Sequence, residues 1–433
     1  MLKPAIIALR VTHNFTSLER VRFMKSSSTK RPSALSAGST LAAIVALTAI
    51  GGTVLAAPFT LGNLVVSRVG DGTSTLSGAG AAVFLDEYTT ALGQTSAVQS
   101  VALPTTASGS NASFVDSGTS TSDGTLTLST NGKFLTIAGY AGALGTTSSI
   151  TSAAGINRVV ARIAADGTVD TTTSLNQTTT YSGNNIRSAA STDGTTLFLG
   201  GTASSTGGVR TANLGDASST QVEGTTTNTR VVNLFNGNLY FSTGSGTAGI
   251  YQIGSGGIST ASGQTTTLIA ADPAGPIVAP ATTNNGSPYD FYFANANTLF
   301  VADDRSNANG GLLQYVNSGS GFTLTNTYNL AGATTGTTAG LRGLTGSATD
   351  LFAISSDNRL VDFNLGSTSF TTLATAATNT NFRGVDFAPN SGTLPAAAPE
   401  PSQVAGLGFF AFGLAGVILK ARRKRSTASV DAR

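Results

Sequence analysis

Four arginines recur at one place in the sequence pattern. Arg187 follows Asn184-Asn185-Ile186, Arg230 follows Asn228-Thr229, Arg342 follows Gly340-Leu341 and Arg383 follows Asn381-Phe382, while Tyr289-Asp290 takes the matching place in another unit. Each stands at the start of a short apolar run. Guanidiniums gathered from several strands hold carboxylate or phosphate groups through paired N–H donors, so a ring of Arg187, Arg230, Arg342 and Arg383 with Asp290 suits an anionic ligand such as an acidic sugar or a phosphate. The competing reading is structural: each arginine pairs with a carboxylate such as Asp290 or Asp386, or caps strand-end carbonyls, because repeat architectures reuse structural residues at every turn.

A second set is acidic: Asp86-Glu87, and Asp303-Asp304 followed by Arg305. Paired carboxylates beside carbonyl groups can bind Ca²⁺, or serve as acid and base if their surroundings separate their pKa values. Ion pairing or turn capping is the competing reading. No spacing matches an EF-hand or another metal signature, and Asp71-Gly72, Asp123-Gly124 and Asp166-Gly167 read as ordinary turns. The glycine-rich runs 244–249 and 254–257 read as hairpin loops, since no helical period follows either one to present a phosphate site.

The missing residue types narrow the chemistry further. The chain of 433 residues has no Cys and no Trp, its one His is His13, and its two Met are Met1 and Met24. Residues 57–398 therefore lack His, Met, Cys and Trp. A disulfide framework, the commonest zinc ligands, a Ser-His-Asp triad and an imidazole base are all excluded from that region. It carries eleven Lys or Arg against eighteen Asp or Glu, a net charge of about −7, although the whole chain is formally +3. Such an acidic region is a poor partner for nucleic acid, which is bound by neutralising phosphates.

The elements that must position these residues are short strands. Charged residues are only 10% of the chain, and Thr, Ser, Gly and Ala dominate between brief β-branched runs. From 58 to 389 a unit recurs every 40 to 60 residues or so, the range of propeller blades. Apolar second strands are expected at 133–139, 196–200, 238–242, 298–302 and 350–354. First strands precede them at 125–129, 186–191, 230–235, 289–294 and 341–346. Asn131-Gly132, Asp193-Gly194 and Asn236-Gly237 supply hairpin turns between them.

A sixth unit is split between the ends. Residues 382–387 repeat the first-strand pattern with no second strand after them, and 63–67 read as a second strand with no first strand before them; 83–89 and 98–103 follow as third and fourth. Pairing these ends gives an all-β, six-bladed β-propeller with no free edge. Seven blades, with one hidden in 104–122 or 270–288, or an open β-solenoid, remain as alternatives.

The flanks read as addresses. Residues 1–56 form a leader with a signal peptide: Lys25, Lys30 and Arg31, the apolar 41–50, and a small-residue cleavage signal at 54–56, with Met24 as the expected start. After the 57–389 ectodomain comes an aperiodic linker, 390–398. Then follow Pro399-Glu400-Pro401, an apolar run over 404–419, the basic cluster Lys420, Arg422, Arg423, Lys424 and Arg425, and a short tail over 426–433. Sixteen apolar residues extend about 24 Å as a helix, enough to span a bilayer with snorkelling ends, and the basic cluster marks the cytoplasmic side.

This order, within 399–425, resembles the PEP-CTERM sorting signal of Gram-negative surface proteins. The resemblance implies export by signal peptidase, transient anchoring by the C-terminal helix, removal of that segment by an exosortase, and delivery to the cell envelope, cell surface or extracellular biofilm matrix. The ectodomain, with runs such as Arg68-Val-Gly-Asp-Gly72, Phe84-Leu-Asp-Glu-Tyr88 and Val301-Ala-Asp-Asp304, is similar to propeller regions of uncharacterised exported bacterial proteins. The expected role is non-catalytic binding of glycan, exopolysaccharide or a surface protein through one face of the ring, without a cofactor. The rival expectation is a Ca²⁺-assisted hydrolase or lyase on the same scaffold.

Overall fold

The computed structural model describes residues 57–272 and 286–391, all of it strand, turn and loop. The leader, the segment 273–285, and the C-terminal signal with Pro399, Glu400, Pro401, Lys420, Arg422, Arg423, Lys424 and Arg425 lie outside the described residues.

Six four-stranded antiparallel sheets carry the fold. Blade 1 is the split one: Asn381–Phe387 pairs with Leu64–Val69, which pairs in turn with Val83–Tyr88 and then Gln99–Ala102. The junction aligns Leu64 with Phe387, Val65 with Asp386 and Val66 with Val385 before a bulge ahead of Arg68. Blades 2 to 6 begin with Leu126–Leu128, Ile186–Ser191, Val232–Phe235, Pro288–Asn295 and Leu341–Gly346, and each continues through three more strands in chain order. Neighbouring blades pack against one another around the ring, mostly through their innermost strands, with blade 1 touching both blade 2 and blade 6. The protein is a six-bladed β-propeller, closed by its two ends as the split unit predicts. The stretch 104–122 contributes no seventh blade: its strand Asp116–Ser117 pairs with Gly80–Ala81 in a small ribbon.

Packing explains why the second strands are so apolar. Thr196–Gly201, Asn238–Thr243, Thr298–Asp303 and Asp350–Ser355 are buried at every position after the first, because both faces of each strand meet a neighbouring blade. Leu64 and Val66 of blade 1 share a cluster with Phe352, Ile354 and Leu360 of blade 6, so the ring is sealed by apolar contact as well as by the strand ladder. Burying each such side chain contributes about 1.5–3 kcal/mol.

The turns differ more than the dipeptides suggest. Asn236 and Gly237 both take positive φ, 47° and 71°, and join Phe235 directly to Asn238 in a two-residue hairpin. At Asn131-Gly132 and Asp193-Gly194 only the glycine has positive φ, and Ser129 and Ser191 hydroxyls stitch a longer loop.

Candidate functional site: an arginine-bearing channel mouth

A repeated serine relay fixes which residues occupy equivalent places. Ser242 in the second strand of blade 4 accepts from the Val231 N–H and donates to the Tyr289 carbonyl of blade 5. Ser67 in the second strand of blade 1 accepts from the Gly384 N–H at 2.8 Å and donates to the Gly124 carbonyl of blade 2 at 2.6 Å. Val231 and Gly384 each follow an arginine of the pattern. Tyr289 and Gly124 therefore stand where the other blades place Arg187, Arg230, Arg342 and Arg383.

One mouth of the channel thus carries four arginines, one tyrosine and one glycine. Asp290 does not belong to this ring. It lies one residue deeper, buried, with its carboxylate accepting from the N–H groups of Phe291 and, across to blade 6, Leu344 at 2.8 and 3.0 Å. Burial pushes its pKa up to about 8. Asp386 plays a similar part: it accepts from Leu128 of blade 2 at 2.6 Å and from the Thr345 hydroxyl of blade 6 at 2.8 Å, and burial pushes it up to about 6. Neither carboxylate pairs with an arginine, so that part of the structural reading does not hold; both tie neighbouring blades together instead.

The arginines themselves divide. Arg342 is ion-paired with Asp304 at 2.8 Å. Arg230 lies over the Tyr289 ring, 4.1 Å from its centroid, and donates to the Ser287 hydroxyl and the Pro288 carbonyl at 3.0 and 2.9 Å. Arg187 donates to the Asn228 side chain and to the Thr229 carbonyl at 3.1 Å, and Arg383 donates to the Gly118 carbonyl at 3.0 Å. Carbonyl capping is therefore real for three of the four. Yet the Nε–H groups of Arg187 and Arg383 are buried and have no hydrogen-bond partner among the described residues. Burial pulls both guanidiniums down from their usual value, and the charge of Asp123 opposes that pull in each.

Two further carboxyl groups lie buried near this ring position. Asp123 accepts from the Tyr140 hydroxyl at 2.7 Å and from the Asn185 amide at 2.8 Å, fully engaged and almost wholly buried. It is no simple turn residue, whereas Asp71 and Asp166 do cap the N–H groups of Thr73 and Thr168 two residues on. Asp116 has no solvent exposure; its Oδ1 accepts from the Ser117 N–H at 2.7 Å, while Oδ2 has no partner among the described residues. Burial, then the charge of Asp123, drive its pKa well up, and Arg383 acts against them. Sequence reading missed both groups as members of the site. Asp123 adjoins the first strand of its blade, which is a usable signal; Asp116 sits in an aperiodic insertion that carries none.

The acidic pairs are occupied by structure. Asp86 binds Arg68 and Ser100. Glu87, fully buried, accepts from the Thr60 N–H, Asn63 and Gln99 at 2.8, 2.6 and 2.6 Å. Asp303 accepts from Ser287 and Arg305, and Arg305 also reaches Asp272 at 2.7 Å. Burial and the adjoining Asp303 push Asp272 up to about 8. Among the described residues no three carboxylates converge as a metal-binding group would require.

A scan of family models matches none, and a search of curated proteins returns no match. Solved structures do align. One from a nidogen/laminin complex is 11% identical, with a TM-score of 0.46 over 76% of this chain and 99% of that one. The WD40 β-propeller domain of Doa1 is 13% identical, with a TM-score of 0.32 over 50% of this chain and 62% of that one. The β-propeller domain of Myceliophteria thermophila Cps50 (Swd1) is 8% identical, with a TM-score of 0.34 over 58% and 86%. The likeness concerns fold alone; the site is read from this chain's own residues.

Proposed function

We propose that this propeller is an exported, non-catalytic binding module of the cell envelope or extracellular matrix, taking an anionic glycan or exopolysaccharide on its arginine-bearing mouth. One observation carries the binding part: four blades place an arginine at one ring position, and only Arg342 among them is ion-paired within the described residues. Guanidiniums gathered at one ring position suit carboxylate or sulfate groups. The engagement of Asp86, Glu87, Asp303 and Asp304 by neighbouring side chains and backbone favours this reading over calcium-assisted hydrolysis, which calls for a convergent carboxylate set. The address part rests on the order of signal peptide, Pro399-Glu400-Pro401, apolar run and basic cluster.

The test is a glycan array together with pull-down on isolated matrix polysaccharide. Selective retention on acidic glycans, lost on neutral ones, is the expected result; a flat response across the array contradicts the binding reading. Mass spectrometry of the mature termini checks the address, and a mature protein still carrying residues 422–433 contradicts exosortase removal.

A further inference from the structure

Blades 5 and 6 flank an open groove of about 550 Å³, within the ~300–1,000 Å³ usual for small-molecule sites. It lies on the face opposite the arginine ring. Asn295 and Ser347 on its walls stand at the hairpins that end the first strands, whereas the arginines stand where those strands begin. None of the residues lining it is charged. Tyr292 is the aromatic wall, half-buried, and Gly346 of blade 6 gives its ring room, since a Cβ there would lie 2.8 Å from Tyr292 Cε1. Two amides on the walls are fixed through their oxygens. Gln314 Oε1 accepts from the Asn326 amide and the Tyr328 hydroxyl, both at 2.9 Å, and Asn295 Oδ1 accepts from the Asn297 N–H at 2.9 Å. Their NH₂ groups, with the Tyr292 and Thr298 hydroxyls, have no partner among the described residues.

We propose that this groove takes an uncharged sugar residue, with its C–H face on the Tyr292 ring and its hydroxyls on the Asn295 and Gln314 amides. The lining chooses the class. A groove without charge offers nothing to an anion or a metal ion, and its free N–H and O–H groups would be left unpaired by a purely apolar ligand. A sugar supplies both an apolar face and neutral hydroxyls. This is a second site, which does not depend on the anionic ligand of the arginine-bearing mouth. A single sugar in an open groove binds at roughly millimolar level, too weakly to be retained on an array or in a pull-down.

Saturation-transfer NMR on the full chain reads binding this weak, with cellobiose and diacetylchitobiose as probes. Transfer to at least one of the two is expected, and it should persist in excess galacturonate oligomer, an acidic competitor for the arginine-bearing mouth. Tyr292→Leu keeps an apolar side chain against blade 6 and loses the ring and hydroxyl, so affinity is expected to fall roughly tenfold. Asn295→Ala, at an exposed hairpin, is expected to weaken binding about threefold to tenfold, and circular dichroism checks the fold of both variants. No transfer to either disaccharide, or transfer unchanged in the folded variants, overturns the groove assignment and leaves the reading of the arginine-bearing mouth standing. Displacement by the galacturonate oligomer overturns it too, because the sugar would then sit at the other mouth.

Discussion

The two halves of the ring use one repeat position in opposite ways. In blades 4 to 6, Arg230 is stacked on Tyr289 and Arg342 is ion-paired with Asp304, so the position is consumed by packing and charge pairing. In blades 1 to 3, Arg383 and Arg187 hold the ring positions on either side of Gly124, and each keeps a buried Nε–H without a partner among the described residues. Identical backbone placement comes from the repeat, while the glycine at Gly124 lets Asp116 and Arg383 pack closely against the backbone, where an added Cβ would lie 2.9 Å from Asp116 Oδ2 and 3.0 Å from Arg383 Cβ.

The largest effect expected from breaking this comparison lies in what the halves share. Ser67→Ala and Ser242→Ala each strip a buried relay that joins an N–H of one blade to a carbonyl of the next. Each is expected to cost about 1–3 kcal/mol in urea unfolding. Comparable losses sharpen the account; a loss in only one half contradicts the equivalence of Gly124 and Tyr289.

A smaller effect concerns pH. Asp290 prefers its proton in the fold, so its contribution is complete below about pH 4 and is lost as pH rises through about 8. Asp290→Asn, which keeps an acceptor and cannot ionise, is expected to flatten the fall in melting temperature across pH 4–8. A melting profile identical to that of the unmodified chain runs against the assigned role.

Much of this fold was legible in the sequence, for physical reasons. The second strands are apolar on both faces because blades pack against each other, which produces short uninterrupted runs. The unpaired strand near residue 385 and the orphan second strand near residue 65 foretold the ring closure, since neither could bury its edge alone. The four arginines were legible too, because each precedes an apolar run at a fixed step. Asp290 was placed one residue off, since Tyr289 rather than an acid fills the ring position in blade 5. Gly124 and Asp123 read as a turn, because a glycine after an aspartate carries the same signal whether it only bends the chain or also makes room for buried neighbours such as Asp116 and Arg383. Asp116 reached the mouth through a ribbon pairing with Gly80–Ala81, a tertiary contact without local pattern.

The central claim is tested most directly by following arginine Nε–H resonances by NMR during titration with an acidic oligosaccharide. The account predicts that the Arg187 and Arg383 signals shift together while those of Arg230 and Arg342 stay in place. Shifts at Arg230 and Arg342, with Arg187 and Arg383 unmoved, would contradict it.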